Sequence, residues 1–290
     1  MKLLVYAIVY FHGALPLTFC RLLGRFYGYL IYLFATRLKK TSFRNLEYCF
    51  PKMSNEKRAQ IVLESCIQTG MAITDSLWVW TRRPQTVLKK LSVINESLVQ
   101  ESLTDNKGIV FTGPHVGCWE IITIWAATLK RTSAFYRVVK QKEFDRIIRR
   151  GRSKTGADLY EANANNMRKI LKKLKSGEFF VILNDQEPKK GSGVYANFFN
   201  RPAYTMTLPQ KLIQSTNASL IMFTILRTKK GWSLEMSDLN HLEKKDTPIN
   251  FATKLNLEIE KVIENNMSQF EWGYKRFKSP PDGDYDFYPE

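Results

Sequence analysis

The sequence predicts an α/β protein, with a sheet covered on both faces by helices and an apolar and amphipathic helical segment at its N-terminus. Three observations carry this reading. Lys107–Thr112 (KGIVFT), Glu178–Leu183 (EFFVIL) and Ser219–Leu226 are short apolar runs of strand type. Helical patterns stand between them, over Cys118–Leu129 and over the basic stretches 143–154 and 165–175. Residues 3–19 (LLVYAIVYFHGALPLTF) contain no Lys, Arg, Asp or Glu.

As one helix, residues 3–19 would extend about 26 Å at about 1.5 Å per residue. That is marginal against a hydrocarbon core of about 30 Å, and His12, Gly13 and Pro16 interrupt the run. No small-residue cleavage site follows, so a retained anchor is expected rather than a removed signal peptide. In the next segment Leu22, Leu23, Phe26, Tyr27, Leu30, Ile31, Leu33 and Phe34 recur at helical spacing. Arg21 and Arg25 fall outside this stripe, and Arg37, Lys39 and Lys40 stand at its end. An apolar stripe flanked by cations suits an interfacial helix on anionic lipid. Residues 1–40 are therefore assigned to membrane association, with a single span and an interfacial anchor both open. Residues 41–290 form the domain that follows.

Further along, residues 41–80 read as helices, with Ser54 starting one of them. Residues 131–139 read as another strand, Trp232–Met236 as a further one, and Thr253–Asn265 as a helix. The tail (PPDGDYDFYPE) is turn-like and acidic. The net charge is +17, from 44 Lys and Arg against 27 Asp and Glu, which calls for an anionic partner. Nucleic acid, anionic lipid and an acidic carrier protein all qualify by charge. No zinc-finger spacing or base-stacking strand motif is present, which disfavours nucleic acid. Cys20, Cys49, Cys66 and Cys118 form no C-x-x-C pair and have no zinc-ligand spacing with the three histidines, so they read as free thiols.

The chemistry centres on His115-Val-Gly-Cys-Trp-Glu120. His115 stands past the carboxyl end of a strand and just before a helix, the edge where open α/β sheets hold ligands. An imidazole there can take a proton from a hydroxyl near neutral pH, provided a carboxylate fixes its tautomer and stabilises the imidazolium. Five positions on a regular helix are 140° off-face. His115 and Glu120 can therefore meet only if His115 lies in the turn and Glu120 in the first helical turn. Gly113, Pro114 and Gly117 make such a turn plausible. His241 and Asp246 share the spacing, but in a charged stretch with no strand leading in, and they read as a solvated loop.

Ordered blocks extend the pattern along the chain. They are Leu15-Pro16, Arg44-Asn45-Leu46, Cys49-Phe50-Pro51, His115-x-Gly117-x-Trp119-Glu120, Tyr136-Arg137, Arg150-Gly151-Arg152, Asn184-Asp185-Gln186-Glu187-Pro188, Phe198–Ala203 with Thr205, and Trp272–Lys278. With these the chain resembles the late acyltransferases of lipid A assembly, which are lysophospholipid acyltransferase-like enzymes, from about residue 15 to 285. The resemblance implies a central mixed sheet flanked by helices, of glycerolipid acyltransferase type. It implies a catalytic dyad of His115, as general base, with Glu120. It implies that Arg150 or Arg152 holds a phosphate-bearing acceptor, and that the Asp185 segment and Arg201 line the same cleft. It implies an acyl thioester donor on the phosphopantetheine of acyl carrier protein, with no metal, and a lipid A precursor as acceptor at the cytoplasmic face of the bacterial inner membrane. Another glycolipid, a lysophospholipid or an amino-acid lipid stays open as the acceptor.

By charge alone Arg146, Arg149, Arg150, Arg152 and Lys154 read as a solvated helix face, although Arg recognises phosphate through two parallel hydrogen bonds. Lys169, Lys172, Lys173 and Lys175 read as solvated or as a docking surface for an acidic carrier.

Overall fold

The strand runs that read as buried form the middle of one sheet. In the computed structural model, which describes residues 2–281 and 287–288, the chain passes through α1 (Lys2–Ala14), α2 (Leu17–Phe34), α3 (Thr36–Cys49), α4 (Asn55–Thr81) and α5 (Pro84–Leu88). It continues through β1 (Leu91–Ile94), α6 (Ser97–Thr104), β2 (Ile109–Gly113), α7 (Ile121–Leu129), β3 (Thr132–Phe135), α8 (Lys142–Arg152), β4 (Asp158–Tyr160), α9 (Ala164–Lys175) and β5 (Phe179–Leu183). It closes with β6 (Gly193–Phe198), β7 (Arg201–Met206), α10 (Leu208–Thr216), β8 (Ser219–Arg227), β9 (Trp232–Asp238), α11 (Pro248–Asn265) and a 3₁₀ turn at Met267–Gln269.

The main sheet runs β1-β9-β8-β2-β5-β3-β4. Strands β8, β2, β5, β3 and β4 are parallel, while β9 pairs antiparallel with β8 and carries β1 parallel to itself. The sheet is thus mixed, as expected. Strand β2 is buried at every position, which a central parallel strand requires. Its side chains alternate between two cores. Val110 packs with Phe180, Leu220, Leu174 and Leu255 on one face, and Ile109 and Phe111 pack with Val181, Phe223, Trp78 and Trp125 on the other.

Several boundaries differ from the expectation. Helix α7 begins at Ile121, not Cys118, because residues 114–120 form the connecting turn. Helix α11 begins at Pro248, where the Thr247 hydroxyl caps Asn250 N–H. The β6–β7 hairpin carried no alternating signal. Its two-residue turn, Phe199 and Asn200, has φ of 52° and 57°, and the Glu260 carboxylate accepts Phe199 N–H at 2.8 Å. Most of the acidic tail lies outside the described residues.

The membrane-spanning option for the N-terminus is corrected. Residues 3–19 do not form one helix: α1 ends at Ala14, and Pro16, which has no N–H, precedes α2. No helix among the described residues is long and apolar enough to cross a membrane. The end of α1 is instead packed inward. His12 is buried, and its ring bonds the Ile8 carbonyl at 2.7 Å and the Tyr27 hydroxyl at 3.1 Å. The apolar stripe of α2 faces outward, with Leu22, Phe26, Leu33 and Phe34 all more than half exposed. Its Arg21 turns inward, to Asp75 on α4.

Candidate active site

Strands β2 and β5 pair in parallel with Gly113 opposite Leu183. Two residues beyond each lie His115 and Asp185, and the register brings them together. Asp185 Oδ1 lies 2.6 Å from His115 Nδ1, and Oδ2 accepts the His115 backbone N–H at 2.9 Å. An ionised carboxylate only accepts, so Nδ1 carries the proton and Nε2 keeps its lone pair. Nε2 has no hydrogen-bond partner among the described residues. The ring meets Trp119 edge to face at 5.1 Å between centroids. Burial pulls the imidazole pKa down, but the charge and hydrogen bond of Asp185, helped by the charges of Glu271 and Glu120, hold it above its ordinary value.

The turn is stitched on every side. Gly117 has φ of +65°, and a Cβ there would lie 1.9 Å from the Ile225 carbonyl oxygen. Gly117 N–H donates to Gln269 O at 3.1 Å and Cys118 N–H to Ile225 O at 2.8 Å. Only glycine fits this approach and this dihedral.

Glu120 stands at the N-cap of α7, just before its first turn, and it is not the residue hydrogen-bonded to His115. Its buried carboxylate accepts Arg152 Nε at 2.7 Å, Arg152 Nη2 at 2.5 Å and Trp80 Nε1 at 2.9 Å. The Arg152 guanidinium lies over the rings of Trp119 and Tyr136, at 4.9 and 5.4 Å from their centroids. Glu120 stays close enough for its charge to act on the imidazole. His115, Glu120 and Arg152 line one cavity of about 380 Å³, whose other walls include Tyr136, Ile148 and Leu183. A second, mostly apolar cavity of about 510 Å³ shares Phe135, Ile182 and Met206 with it and has Lys189 and Lys211 in its wall. Both volumes lie in the range of small-molecule sites, about 300–1,000 Å³.

The two arginines of the Arg150-Gly-Arg152 block part company. Arg150 lines an open groove of about 450 Å³ with Lys142, Arg146 and Arg149, and this groove meets the His115 cavity at Val139. Arg201, expected in the same cleft, stands elsewhere: it donates to the Tyr48 carbonyl at 2.9 Å and stacks on the Tyr48 ring. Lys173, read as solvated or docking, is tied to Asp158 at 3.0 Å and to Glu178 at 2.7 Å. Cys118 is buried, and burial pushes its thiol well above the usual range, which fits packing beside the turn. Asp185 as the imidazole's partner was not foreseen, nor were Trp80 and Tyr136. A parallel register between the strands ending at 113 and 183 was the signal that could have paired Asp185 with His115.

The carboxyl edge of this α/β sheet thus holds an oriented histidine in the wall of a largely apolar cavity, beside an arginine anchored on a buried carboxylate, an arrangement of enzyme type. The chain belongs to the bacterial lipid A biosynthesis acyltransferase family, whose model matches residues 1–279, and it is an acyltransferase. It is 26% identical over 276 residues to the lipid A biosynthesis palmitoleoyltransferase of Escherichia coli K12, covering 94% of this chain and 90% of that one. It is 25% identical over 264 residues to the lipid A biosynthesis lauroyltransferase of the same organism, covering 90% and 86%. It is 28% identical over 279 residues to the lipid A biosynthesis acyltransferase of Haemophilus influenzae, covering 92% and 87%.

Proposed function

We propose that the protein transfers a fatty acyl chain from an acyl carrier protein thioester to a hydroxyl of a lipid A precursor, with His115 as general base. The observation that carries this reading is the oriented imidazole: Nδ1 bound to Asp185, Nε2 unpartnered among the described residues, and the ring in the wall of the cavity. Nε2 takes the proton of the acceptor hydroxyl as the oxygen attacks the thioester carbonyl. A C–O bond forms, the tetrahedral oxyanion collapses, the C–S bond breaks, and the imidazolium returns its proton to the leaving sulfur. Asp185 fixes the tautomer and stabilises the imidazolium. Glu120 acts at one remove, by adding negative charge and by holding Arg152. The Arg152 guanidinium supplies fixed positive charge beside the developing oxyanion. The groove of Arg146, Arg149 and Arg150 takes the acceptor's phosphate, and the two apolar cavities take acyl chains. The surplus of +17 suits both an acidic carrier and an anionic lipid surface, on which the outward stripe of α2 rests.

The test is purified protein with acyl carrier protein thioesters and a lipid A precursor, with the product read by mass. A gain of one acyl chain that is lost in His115→Ala supports the reading. No gain with any thioester, or full activity in His115→Ala, overturns it.

A further inference from the structure

Asp75 on α4 is fully buried, and four donors converge on it. Arg21 Nε reaches Oδ1 at 3.0 Å and Arg21 Nη2 reaches Oδ2 at 3.4 Å. Arg227 Nε and Trp232 Nε1 reach Oδ2 at 2.9 and 3.1 Å. None of these residues lines the catalytic cavity. Removing two or three ions from water is costly and only partly offset by their attraction, so a network of this kind adds little net stability over an apolar core. Its geometry shows a different use.

Arg227 closes β8, and its planar fork has three occupied directions. Nε is on Asp75, Nη1 is on Gln68 Oε1 at 3.1 Å, and Nη2 is on the carbonyl of Gly117 at 2.8 Å. That carbonyl belongs to the turn that carries His115. We infer that Arg227 is a positioning residue: clamped by Asp75, it fixes the Gly117 peptide and thereby sets where the His115 imidazole stands relative to the carboxylate of Asp185. The peptide that joins Gly117 to Cys118 is held through its oxygen by Arg227 and through its N–H by the Ile225 carbonyl, while Gly117 N–H, in the preceding peptide, donates to Gln269 O. Without the Arg227 bond that plane keeps only its Ile225 anchor, and the positive-φ glycine, with no Cβ to restrict its dihedrals, lets the carbonyl tilt. The backbone N–H of His115 would then leave Asp185, and the imidazole would lose its register. A lysine could pair with Asp75 but could not span to Gly117 at the same time, since a point ammonium lacks the fork.

The inference rests on the acyl-transfer reading for its kinetic arm only. Arg227→Lys keeps a cation beside Asp75 and so keeps the fold, and Arg227→Met removes the cation. In both, kcat should fall by roughly ten- to hundred-fold, the scale of a misplaced catalytic group, with KM within about twofold. The His115 imidazole, titrated by NMR with His115→Ala assigning its signal, should ionise at lower pH than in the unsubstituted protein as its bond to Asp185 loosens. Lys should be less impaired than Met. Unchanged kcat and an unchanged imidazole titration in folded Arg227→Lys would overturn the assignment. If the unsubstituted protein shows no acyl transfer at all, the imidazole titration still decides the role of Arg227, so the two failures are told apart.

Discussion

The Arg152 guanidinium meets the Glu120 carboxylate edge to edge, through Nε at 2.7 Å and Nη2 at 2.5 Å, at a carboxylate only 5% exposed. Breaking one partner of a buried pair costs about 3–5 kcal/mol because it strands the other charge. Arg152→Met and Glu120→Gln should therefore each lower the unfolding midpoint sharply and remove activity. The double variant should regain much of the stability and none of the activity. Denaturant unfolding and transfer assays on the four proteins check this, with the coupling energy as the readout.

Asp185→Asn removes the charge that most strongly raises the His115 pKa. A general base works in its neutral form, so in the unsubstituted protein the acid limb of kcat/KM should lie above the ordinary imidazole value of 6.5. In Asp185→Asn that limb should move to lower pH while the plateau falls by about 10²–10⁴-fold. Stability follows the same linkage. A group whose pKa is raised on folding contributes stability below its unfolded value and loses it as pH rises through the folded one. The stability advantage of the unsubstituted protein over Asp185→Asn due to this histidine should be full below about pH 6.5 and decline above it.

Gly117→Ala tests the turn. The new Cβ would meet the Ile225 carbonyl at 1.9 Å in a left-handed conformation. Strain of this kind costs about 1–3 kcal/mol before the steric clash is added. Transfer should be lost and the melting temperature reduced, while Gly156→Ala, which meets nothing within 4 Å despite φ of +97°, should retain activity.

Phe26 and Leu33 on α2 are 57% and 60% exposed. Burying side chains of this size is worth about 1.5–3 kcal/mol each. Phe26→Glu with Leu33→Glu should reduce partitioning onto anionic vesicles at least about tenfold and leave transfer to detergent-dispersed acceptor intact. Vesicle sedimentation beside the detergent assay measures both.

Lys154 donates to the carbonyls of Val79 and of Arg82, the latter at 2.7 Å, at the C-terminus of α4. Burial depresses it from 10.5 to about 8. The unfolded chain then binds more protons between these values, so the contribution of Lys154 to stability rises with pH across that interval. Relative to Lys154→Met, the unsubstituted protein should gain stability from pH 8 towards pH 10, as thermal unfolding of the pair at matched pH would record.

What the residues declared in advance was local. The apolar run before Gly113, the run before Asn184 and the glycines around His115 defined a strand edge and a turn, because strand burial and turn chemistry are written in neighbouring residues. The pairing of His115 with Asp185 spans 70 positions and depends on strand order, which no local pattern encodes. Glu120 was near in sequence but faced Arg152, since the turn consumes residues 114–120 before the helix starts. Arg201 had a polar context that suited a site and a surface turn equally, and the hairpin placed it against Tyr48. The β6–β7 turn was hidden because Phe199, not glycine, takes its first left-handed position, held there by Glu260.

Helix α2 lies against α4 with its glycines set directly on the facing backbone. A Cβ on Gly24 would sit 2.8 Å from the Met71 Cα, one on Gly28 2.3 Å from the Ile67 Cα, and one on Gly70 2.2 Å from the Gly24 oxygen. Contact this tight leaves no slack for the helix to tilt or lift, and α4 is in turn keyed to the His115 turn through Asp75 and Arg227. Where the outer stripe of α2 rests on lipid, the height of the imidazole above that plane is therefore a constant of the molecule, like the set depth of a drill stop. On the proposed reading, such a fixed height would favour acceptor hydroxyls by how far they stand proud of the lipid.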